Sequence, residues 1–282
     1  MIILSTWEGA YRLTAFDRDA NPTGWRPWVF PAPSHVVDSL LNLVGIRTGF
    51  GEPFRPGWPR LPPSESPQAE PPWYRSQLVE ALLVSSARLL AGFGISIVLG
   101  TVLGVAMWRS PELDKFFGPL FLGLQTLPSV CWVPLAVLAF GLNERGIMFV
   151  LVAGSFFAIA IALRDGLRTI PPLYQRAGMM MGARGWRLYR YVLLPASLPA
   201  MTSSLRQGFS FAWRSLMGGE LVLATERHGL GFLLETGRTM SDVAQVVAVM
   251  IVMVLIGMAA DRWGFAKLQA KVQARFGLAA AR

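Results

Sequence analysis

The sequence predicts an all-α protein embedded in a membrane, and three observations lead to this fold class. Hydrophobic residues make up 53% of the 282 residues and charged residues only 15%, whereas a soluble domain carries about 25% charged residues. The few charges leave long uncharged stretches, and a membrane helix needs about 20 mostly apolar residues. The net charge is +9, and the basic residues cluster in short segments between these stretches, as they do in cytoplasmic loops of membrane proteins.

Composition excludes several other classes of protein. The single cysteine, Cys131, cannot form an intramolecular disulfide or a cysteine-based metal cluster. The two histidines, His35 and His228, lie far apart in the sequence, so no metal site is predicted. A nucleic-acid-binding domain can be this basic but is rarely this apolar, and no nucleic-acid partner is expected.

Charged residues divide the chain into predicted membrane spans. The uncharged runs are 89–108, 116–143, 146–163 and 243–260. They predict helices over 85–107, 116–142, 146–163 and 243–260. Pro128 and Pro134 interrupt the second helix, where we expect a kink that frees backbone carbonyls. Buried helices of a large soluble core are the alternative, but four such runs in one chain are rare in soluble folds.

A fifth predicted helix, 198–223, is apolar overall but contains Arg206, Arg214 and Glu220. Ionisable groups at membrane depth are costly, so they normally face the interior of a bundle or a water-filled path. This helix therefore contains the main candidate residues for a functional site.

The N-terminal region is predicted to lie largely outside the membrane. Residues 1–16 are apolar but too short to span, and they lack the features of a signal peptide. We expect them to be a partial first transmembrane helix whose beginning lies upstream, and an interfacial helix is the alternative. Residues 17–77 form a proline-rich extracytoplasmic segment, and 50–73 has too many prolines for a helix. Its tryptophans suit a headgroup surface.

Basic residues predict the orientation of the spans. The segment 164–195 contains six arginines and one acidic residue, and the tail after Asp261 contains five basic residues and no acidic one. Both segments are therefore expected on the cytoplasmic side. The two helices between them return the chain to that side, which places the connector 225–242 outside.

The long cytoplasmic loop 164–197 alternates arginine with apolar and aromatic residues. Gly182 is expected to end or cap a helix, and Pro195 is expected in the first turn of the next one. Two short helices joined at a glycine would present an apolar face to a partner. The residues alone equally allow an amphipathic segment that lies against lipid.

The loop resembles the EAA loop of permease subunits in bacterial ABC importers, whose pattern is E-A-A-x3-G-x9-I-x-L-P. Every spacing is kept, and the matching residues are Arg176, Ala177, Gly178, Gly182, Val192, Leu194 and Pro195. Flanking segments resemble the nitrate/sulfonate/taurine branch of this binding-protein-dependent transport system permease family. They include SSARLLAGFGISIVLGTVLGVAM and LPSVCWVPLAVLAFGLNERG. The resemblance covers about residues 26–264.

The resemblance implies a type I ABC importer permease bundle with five clear transmembrane helices plus a partial first one. Residues 78–264 would form the permease domain and 265–282 a cytoplasmic tail. The chain would pair with a second copy of itself in the bacterial inner membrane, bind two ATP-binding subunits and receive substrate from an extracytoplasmic binding protein. The sequence has no nucleotide-binding P-loop and no catalytic constellation, so ATP and Mg²⁺ are expected on the partner subunit and no cofactor on this chain.

The family uses this loop as a coupling helix that docks on the ATPase subunit. Arg176 and Gly178 depart from the family pattern, because they replace its glutamate and second alanine. The residues Met179, Met180 and Met181 would give an adaptable apolar surface, although they would also suit a surface against lipid or core.

The substrate path is predicted along the helix 198–223. Arg214 is a candidate station for an anion, because a guanidinium binds carboxylate, sulfonate or nitrate oxygens in a fork. Ser203, Gln207 and Ser210 add polar groups on neighbouring turns, and Arg206 and Glu220 are also assigned to the path. An ion pair that fixes helix packing is the alternative for Arg214. Glu220 needs a partner on another helix, and Arg206 is expected to meet the coupling loop or lipid headgroups.

The resemblance implies a small anion such as an alkanesulfonate, taurine or nitrate, while the same branch also includes permeases for vitamin precursors. An ATP-independent secondary transporter would show an internal repeat with paired broken helices, and none is found in the sequence. A membrane-bound scaffold or enzyme subunit would need a catalytic cluster, and none is visible.

Gly92, Ser96, Gly100 and Gly104 recur every four residues and predict close helix packing.

Overall fold

The computed structural model describes residues 6–7, 31–44, 76–223, 225 and 227–275. All regular structure within these ranges is helical, and no strand occurs in them. The longer helices are α1 (Pro33–Val44), α2 (Gln77–Arg109), α3 (Pro111–Thr126), α4 (Val133–Phe140), α5 (Glu144–Arg168), α6 (Pro172–Met180), α8 (Leu194–Val222), α9 (Leu230–Thr239), α10 (Val243–Ala259) and α11 (Ala266–Arg275). A single turn, α7 (Trp186–Leu188), and a π-helical segment, Tyr189–Leu193, precede α8.

Within the described residues, three helices are long and apolar enough to cross a membrane, and a bent pair described below would be a fourth span if it crosses as one unit. The three helices are Gln77–Arg109, Glu144–Arg168 and Val243–Val272. They contain three of the predicted spans, 85–107, 146–163 and 243–260, and each is longer than predicted. The longer bounds arise because terminal charged residues such as Arg109 and Arg168 belong to the last turns of their helices.

The predicted helix 116–142 is a pair of helices in the structure. α3 and the run Ser129–Phe140 meet at an angle of 106°, and the run opens with a 3₁₀ turn over Ser129–Trp132 before α4 begins. Pro128 stands at the bend and Pro134 in the first turn of α4. Both prolines lack an amide hydrogen, so neither can continue the preceding helical hydrogen bonds. The expected kink is therefore a full break.

Two of the sequence segments lie mostly outside the described residues. The partial first transmembrane helix 1–16 is described only at residues 6–7. The proline-rich segment 17–77 is described over 31–44, which contains α1, and at its last two residues. At the other end, the predicted tail 265–282 is helical as far as Arg275, because a second π-helical segment, Ala260–Phe265, joins α10 to α11.

The chain divides into two compact units. The first comprises residues 1–85 and 226–254, and it is stabilised by polar contacts between helices. The Leu230 amide at the start of α9 donates to Ser85 Oγ in α2 at 2.9 Å. Gln245 in α10 donates through Nε2 to the Leu233 carbonyl at 3.0 Å.

The second unit comprises residues 86–225 and 255–282 and contains the helical bundle around α5. α2 packs on α5 through small residues. A Cβ on Gly92 would lie 2.6 Å from Leu151 Cδ2, and one on Gly100 would lie 2.7 Å from Ile159 Cβ. Between these contacts, Ser155 Oγ donates to Ser96 Oγ at 2.7 Å. The predicted small-residue face is thus confirmed as a close helix contact, which is how membrane helices gain packing energy.

α5 also packs along α8, and both helices contribute to an apolar core. Buried members of this core include Ile147, Val150, Leu151, Ala212 and Leu216. Gly154 and Gly208 allow the close approach, because a Cβ on either would overlap Ser215 or Ile159 respectively. One side of α8 is fixed in this way, and its other side remains exposed.

Candidate transport path and coupling loop

A stripe of exposed polar residues runs along α8. Ser203, Gln207, Ser210 and Arg214 are all exposed, and their spacing places them within about 60° of one another around the helix. We call these four residues the polar stripe. Exposed polar groups on a membrane helix normally face a water-filled path or another protein chain, so the stripe is the surface of α8 best suited to a polar substrate.

Arg214 lies in the polar stripe and has no carboxylate partner among the residues that the structure describes. Its Nε donates to the Ser210 carbonyl at 3.0 Å, and its guanidinium lies 4.7 Å from the centre of the Phe211 ring. No acidic side chain in the described part of the chain lies within ion-pair distance of Arg214. The guanidinium is thus held at its base and keeps donors available for an anion.

Arg206, two turns from Arg214, has a different role from the one expected. It forms a two-point ion pair with Asp261 in the second π-helical segment, with contacts of 2.6 and 2.7 Å. Gln269 in α11 adds a longer contact of 3.4 Å. The structure thus gives Arg206 a carboxylate partner, whereas the sequence analysis expects contact with the coupling loop or headgroups. In the sequence Asp261 ends an uncharged run, but the helix continues past it and brings its carboxylate to α8.

Glu220 is buried and does not belong to the polar stripe. Its side chain is 1% exposed, and its Oε1 accepts from Arg88 Nη1 in α2 at 2.8 Å. Arg88 also donates through Nε to Glu144 in α5 at 2.8 Å and through Nη2 to the Thr225 hydroxyl at 2.9 Å. Glu220 thus has a partner on another helix, as predicted, and this partner is Arg88. Together with Glu144, the two side chains connect α2, α5 and α8.

Sequence reasoning missed the roles of Arg88 and Glu144. Arg88 lies inside the predicted helix 85–107, where a cation needs a partner, and Glu144 follows an uncharged run, but the sequence does not show that the two side chains meet. A second cluster was missed for the same reason. In it, Asp114 of α3 accepts from Arg164 at 3.0 Å and from Arg168 at 2.6 Å. Both arginines had been assigned to the cytoplasmic loop, whereas the structure places them in the last turns of α5.

The predicted coupling loop folds into two helical pieces joined at glycines. α6 ends at Met180, and Gly182 and Gly185 follow with φ of 82° and 55°. These left-handed conformations favour glycine. The Ala183 amide donates back to the Gly178 carbonyl at 3.0 Å, which closes the end of α6. Leu194 and Pro195 then begin α8, with Pro195 in its first turn as expected.

Gly178 explains one departure from the EAA pattern. A Cβ at this position would lie 2.7 Å from Leu188 Cδ1 and 2.9 Å from Val192 Cγ2. The first arm of the loop, α6, therefore packs at Gly178 directly on the second arm, which comprises α7 and the π-helical segment Tyr189–Leu193. The alanine that is usual in the family would require Leu188 or Val192 to move. Arg176 and Ala177, by contrast, are exposed.

The outer face of α6 is exposed and apolar. Leu173, Met180 and Met181 are 72%, 90% and 78% exposed, and Met179 is 44% exposed. Leu173, Ala177 and Met180 share one face of the helix. Exposed apolar side chains that cluster in this way are typical of surfaces that contact another protein or a membrane.

No cluster of three metal-binding side chains occurs within the ranges that the structure describes. The long apolar helices of the described residues are typical of a membrane protein. Residues 96–266 match the profile of the family described as "Binding-protein-dependent transport system inner membrane component". Because this match covers more than half of the sequence, the chain belongs to that family, and it is a membrane permease of the ABC transporter class.

Three relatives illustrate the range of this family. A putative ABC transporter permease protein of Methanocaldococcus jannaschii is 31% identical over 185 residues, which cover 66% of this chain and 69% of that protein. The taurine transport system permease protein TauC of Escherichia coli is 25% identical over 74% of this chain and 67% of its own length. The bicarbonate transport system permease protein CmpB of Synechococcus elongatus is 26% identical over 64% of this chain and 65% of its length.

The fold has a counterpart among solved structures. A chain of the MetNI methionine ABC transporter, solved in an inward-facing conformation, superposes with a TM-score of 0.60 at 19% identity. The match covers 69% of this chain and 95% of that chain. The predicted permease bundle is therefore confirmed as the fold.

Proposed function

We propose that this permease carries a small organic or inorganic anion through a path lined by the polar stripe of α8, with Arg214 as the station that binds it. The single observation that carries this proposal is the exposed guanidinium of Arg214, which no described carboxylate neutralises. A fork of donors fits sulfonate, carboxylate and bicarbonate oxygens alike. Relatives named for taurine and bicarbonate transport support an anionic substrate.

The proposed assembly follows the expected one. Two copies of the chain would face each other across the path, two ATP-binding subunits would bind the cytoplasmic side, and an extracytoplasmic binding protein would deliver the substrate. The positive segment 164–195 and the basic residues after Asp261 favour a cytoplasmic position for the loop and the C-terminus. ATP and Mg²⁺ would be held by the partner subunit.

The coupling loop would transmit closure of the ATPase to α8. Its exposed apolar face, with Leu173, Met180 and Met181, suits a groove on the ATPase subunit. Gly178 and Gly182 give the loop its compact form, and Arg176 stands at the edge of this face. The helix α8 starts directly from the second arm of the loop, at Leu194 and Pro195, so a displacement of the loop would move the polar stripe.

Uptake by variants of Arg214 tests the proposed station. Arg214→Met is expected to reduce anion uptake about 10- to 100-fold while the complex still assembles, because a charged hydrogen bond to a bound anion contributes about 1.5–3 kcal/mol. Arg214→Lys keeps the positive charge but not the forked set of donors, so its uptake should lie between that of the unaltered transporter and that of Arg214→Met. The matched control is Arg109→Met, an exposed arginine at the end of α2 and outside the polar stripe. Normal uptake by Arg214→Met would reject the station.

A further inference from the structure

The bend between α3 and α4 lies at a depth that corresponds to the interior of a membrane. A Cβ on Gly154 would be 3.8 Å from the Cβ of Ser129, which is in the 3₁₀ turn after the bend. Gly154 is ten residues after the first residue of α5, about 15 Å along that helix, and a membrane's hydrocarbon core is about 30 Å thick. The bend therefore sits near the middle of a spanning helix.

The bend combines an interrupted backbone with exposure. Leu127 and Val130 are 45% and 49% exposed, and Cys131 and Pro128 are exposed as well. In the hydrocarbon region, non-helical backbone is tolerated only where protein covers it or where it lines a water-filled cavity. The described residues of this chain leave the bend uncovered on one side, so lipid is an unfavourable neighbour for that side.

The bend is also continuous with the polar stripe. Gly218 follows Arg214 by one turn of α8. A Cβ on Gly218 would lie 3.3 Å from Ser129 Oγ and 3.4 Å from Val130 Cγ2. The 3₁₀ turn therefore packs on α8 just beyond Arg214, about 6 Å further along the helix.

An unsatisfied polar atom stands beside the bend. The side-chain oxygen Oε1 of Gln125, in the last turn of α3, is buried and has no hydrogen-bond partner among the described residues. A buried amide oxygen of this kind is normally satisfied by water or by another chain. A wet environment at the bend would supply that partner.

We propose that the bend, residues 126–132, forms part of the wall of the water-filled translocation path and narrows it next to Arg214. This inference rests on the proposed function in taking the polar stripe of α8, on which the bend packs, as the adjoining part of the wall. Ser129, Val130 and Cys131 would then contact the substrate as it passes the anion station. Their side chains would help to set the size of anion that the path accepts.

Cys131 is the single cysteine of the chain, so the unaltered protein carries its own reporter. Membrane vesicles that contain the assembled transporter are treated with an anionic and a cationic methanethiosulfonate, both hydrophilic, and labelling of this chain is followed by mass spectrometry. Cys131 is expected to react with both reagents, and about 10-fold faster with the anionic one because Arg214 raises its local concentration. Arg214→Gln should remove most of this preference.

The control is a cysteine on an exposed apolar face of a spanning helix. Leu90 of α2 is 73% exposed, and Leu90→Cys in a Cys131→Ser background should react only with a lipid-soluble maleimide. The same behaviour of Cys131 would overturn the inference about the bend, even if uptake depended on Arg214. Reaction of Cys131 with the hydrophilic reagents would support the bend as path wall, and normal uptake by Arg214→Met in that case would reject the anion station alone.

Discussion

Arg88 and Glu220 form an ion pair with an Nη1–Oε1 distance of 2.8 Å and side chains that are only 7% and 1% exposed. The pair connects α2 to the end of α8, and Glu144 at the start of α5 completes it from a third helix. Buried charges of this kind are stable only when paired and hydrogen-bonded. The pair therefore fixes one end of α8, while the polar stripe lies on the exposed side of the same helix.

Replacement of Arg88 by methionine is expected to destabilise the permease by about 3–5 kcal/mol, because it leaves the Glu220 carboxylate buried without its cation. Thermal unfolding in detergent measures this loss. The double variant Arg88→Met/Glu220→Gln should recover part of it, since the second change removes the buried charge.

The control for this pair is Arg238→Met, which removes an exposed ion pair with Glu235 on α9. An exposed pair contributes little to stability, so the unfolding temperature should hardly change. Equal losses for Arg88→Met and Arg238→Met would show that the buried group does not fix the helices.

Close packing of α2 on α5 predicts opposite results for two glycines of α2. Gly100→Val should reduce the yield of folded protein, because even a Cβ there would come within 2.7 Å of Ile159 and 3.0 Å of the Phe156 carbonyl. Gly94→Val should be tolerated, since nothing lies within 4 Å of its Cβ position. Fluorescence-detected size-exclusion chromatography compares the two. A loss for both variants would point to helix propensity instead of packing.

The small-residue stripe and three spans were predictable from the sequence because they depend on local patterns: a spacing of four residues and runs without charge. The partners of Arg206 and Glu220 were not predictable, since each lies on a helix distant in sequence. Arg206 illustrates the difficulty, because in the sequence Asp261 only marks the end of an uncharged run, 55 residues away. The break at Pro128 was foreseen as a kink, but its angle depends on how Ser129 packs against α5 and α8.

Arg206 and Asp261 are expected to act as a pair. Arg206→Asp alone places two carboxylates together and should reduce uptake strongly, whereas the exchange Arg206→Asp/Asp261→Arg should restore most of it. This recovery is expected because the geometry allows two hydrogen bonds between α8 and the π-helical segment in either direction. Uptake assays in a strain without the native transporter compare the variants. If the single variant and the exchange variant are equally inactive, Arg206 contacts the anion instead of acting as the partner of Asp261.

The apolar face of the coupling loop predicts a loss of coupling without a loss of folding. Met180→Glu and Met181→Glu are expected to abolish the ATPase activity that loaded binding protein stimulates, because they place charge in an apolar contact. Both side chains are largely exposed in this chain, so its own stability should not change. Lys267→Glu on α11, also exposed, serves as the control for added negative charge. Stimulation that survives in the methionine variants would contradict the docking role.

Accumulation of a labelled anion in proteoliposomes tests the central claim most directly. The vesicles contain this chain, its ATPase subunit and its binding protein, and radiolabelled taurine and bicarbonate are offered separately, with a labelled organic cation as the reference. The account predicts that one anion accumulates only when ATP and the binding protein are both present, and that the Arg214→Met transporter accumulates far less. Accumulation of the cation, or of an anion without ATP, would contradict it.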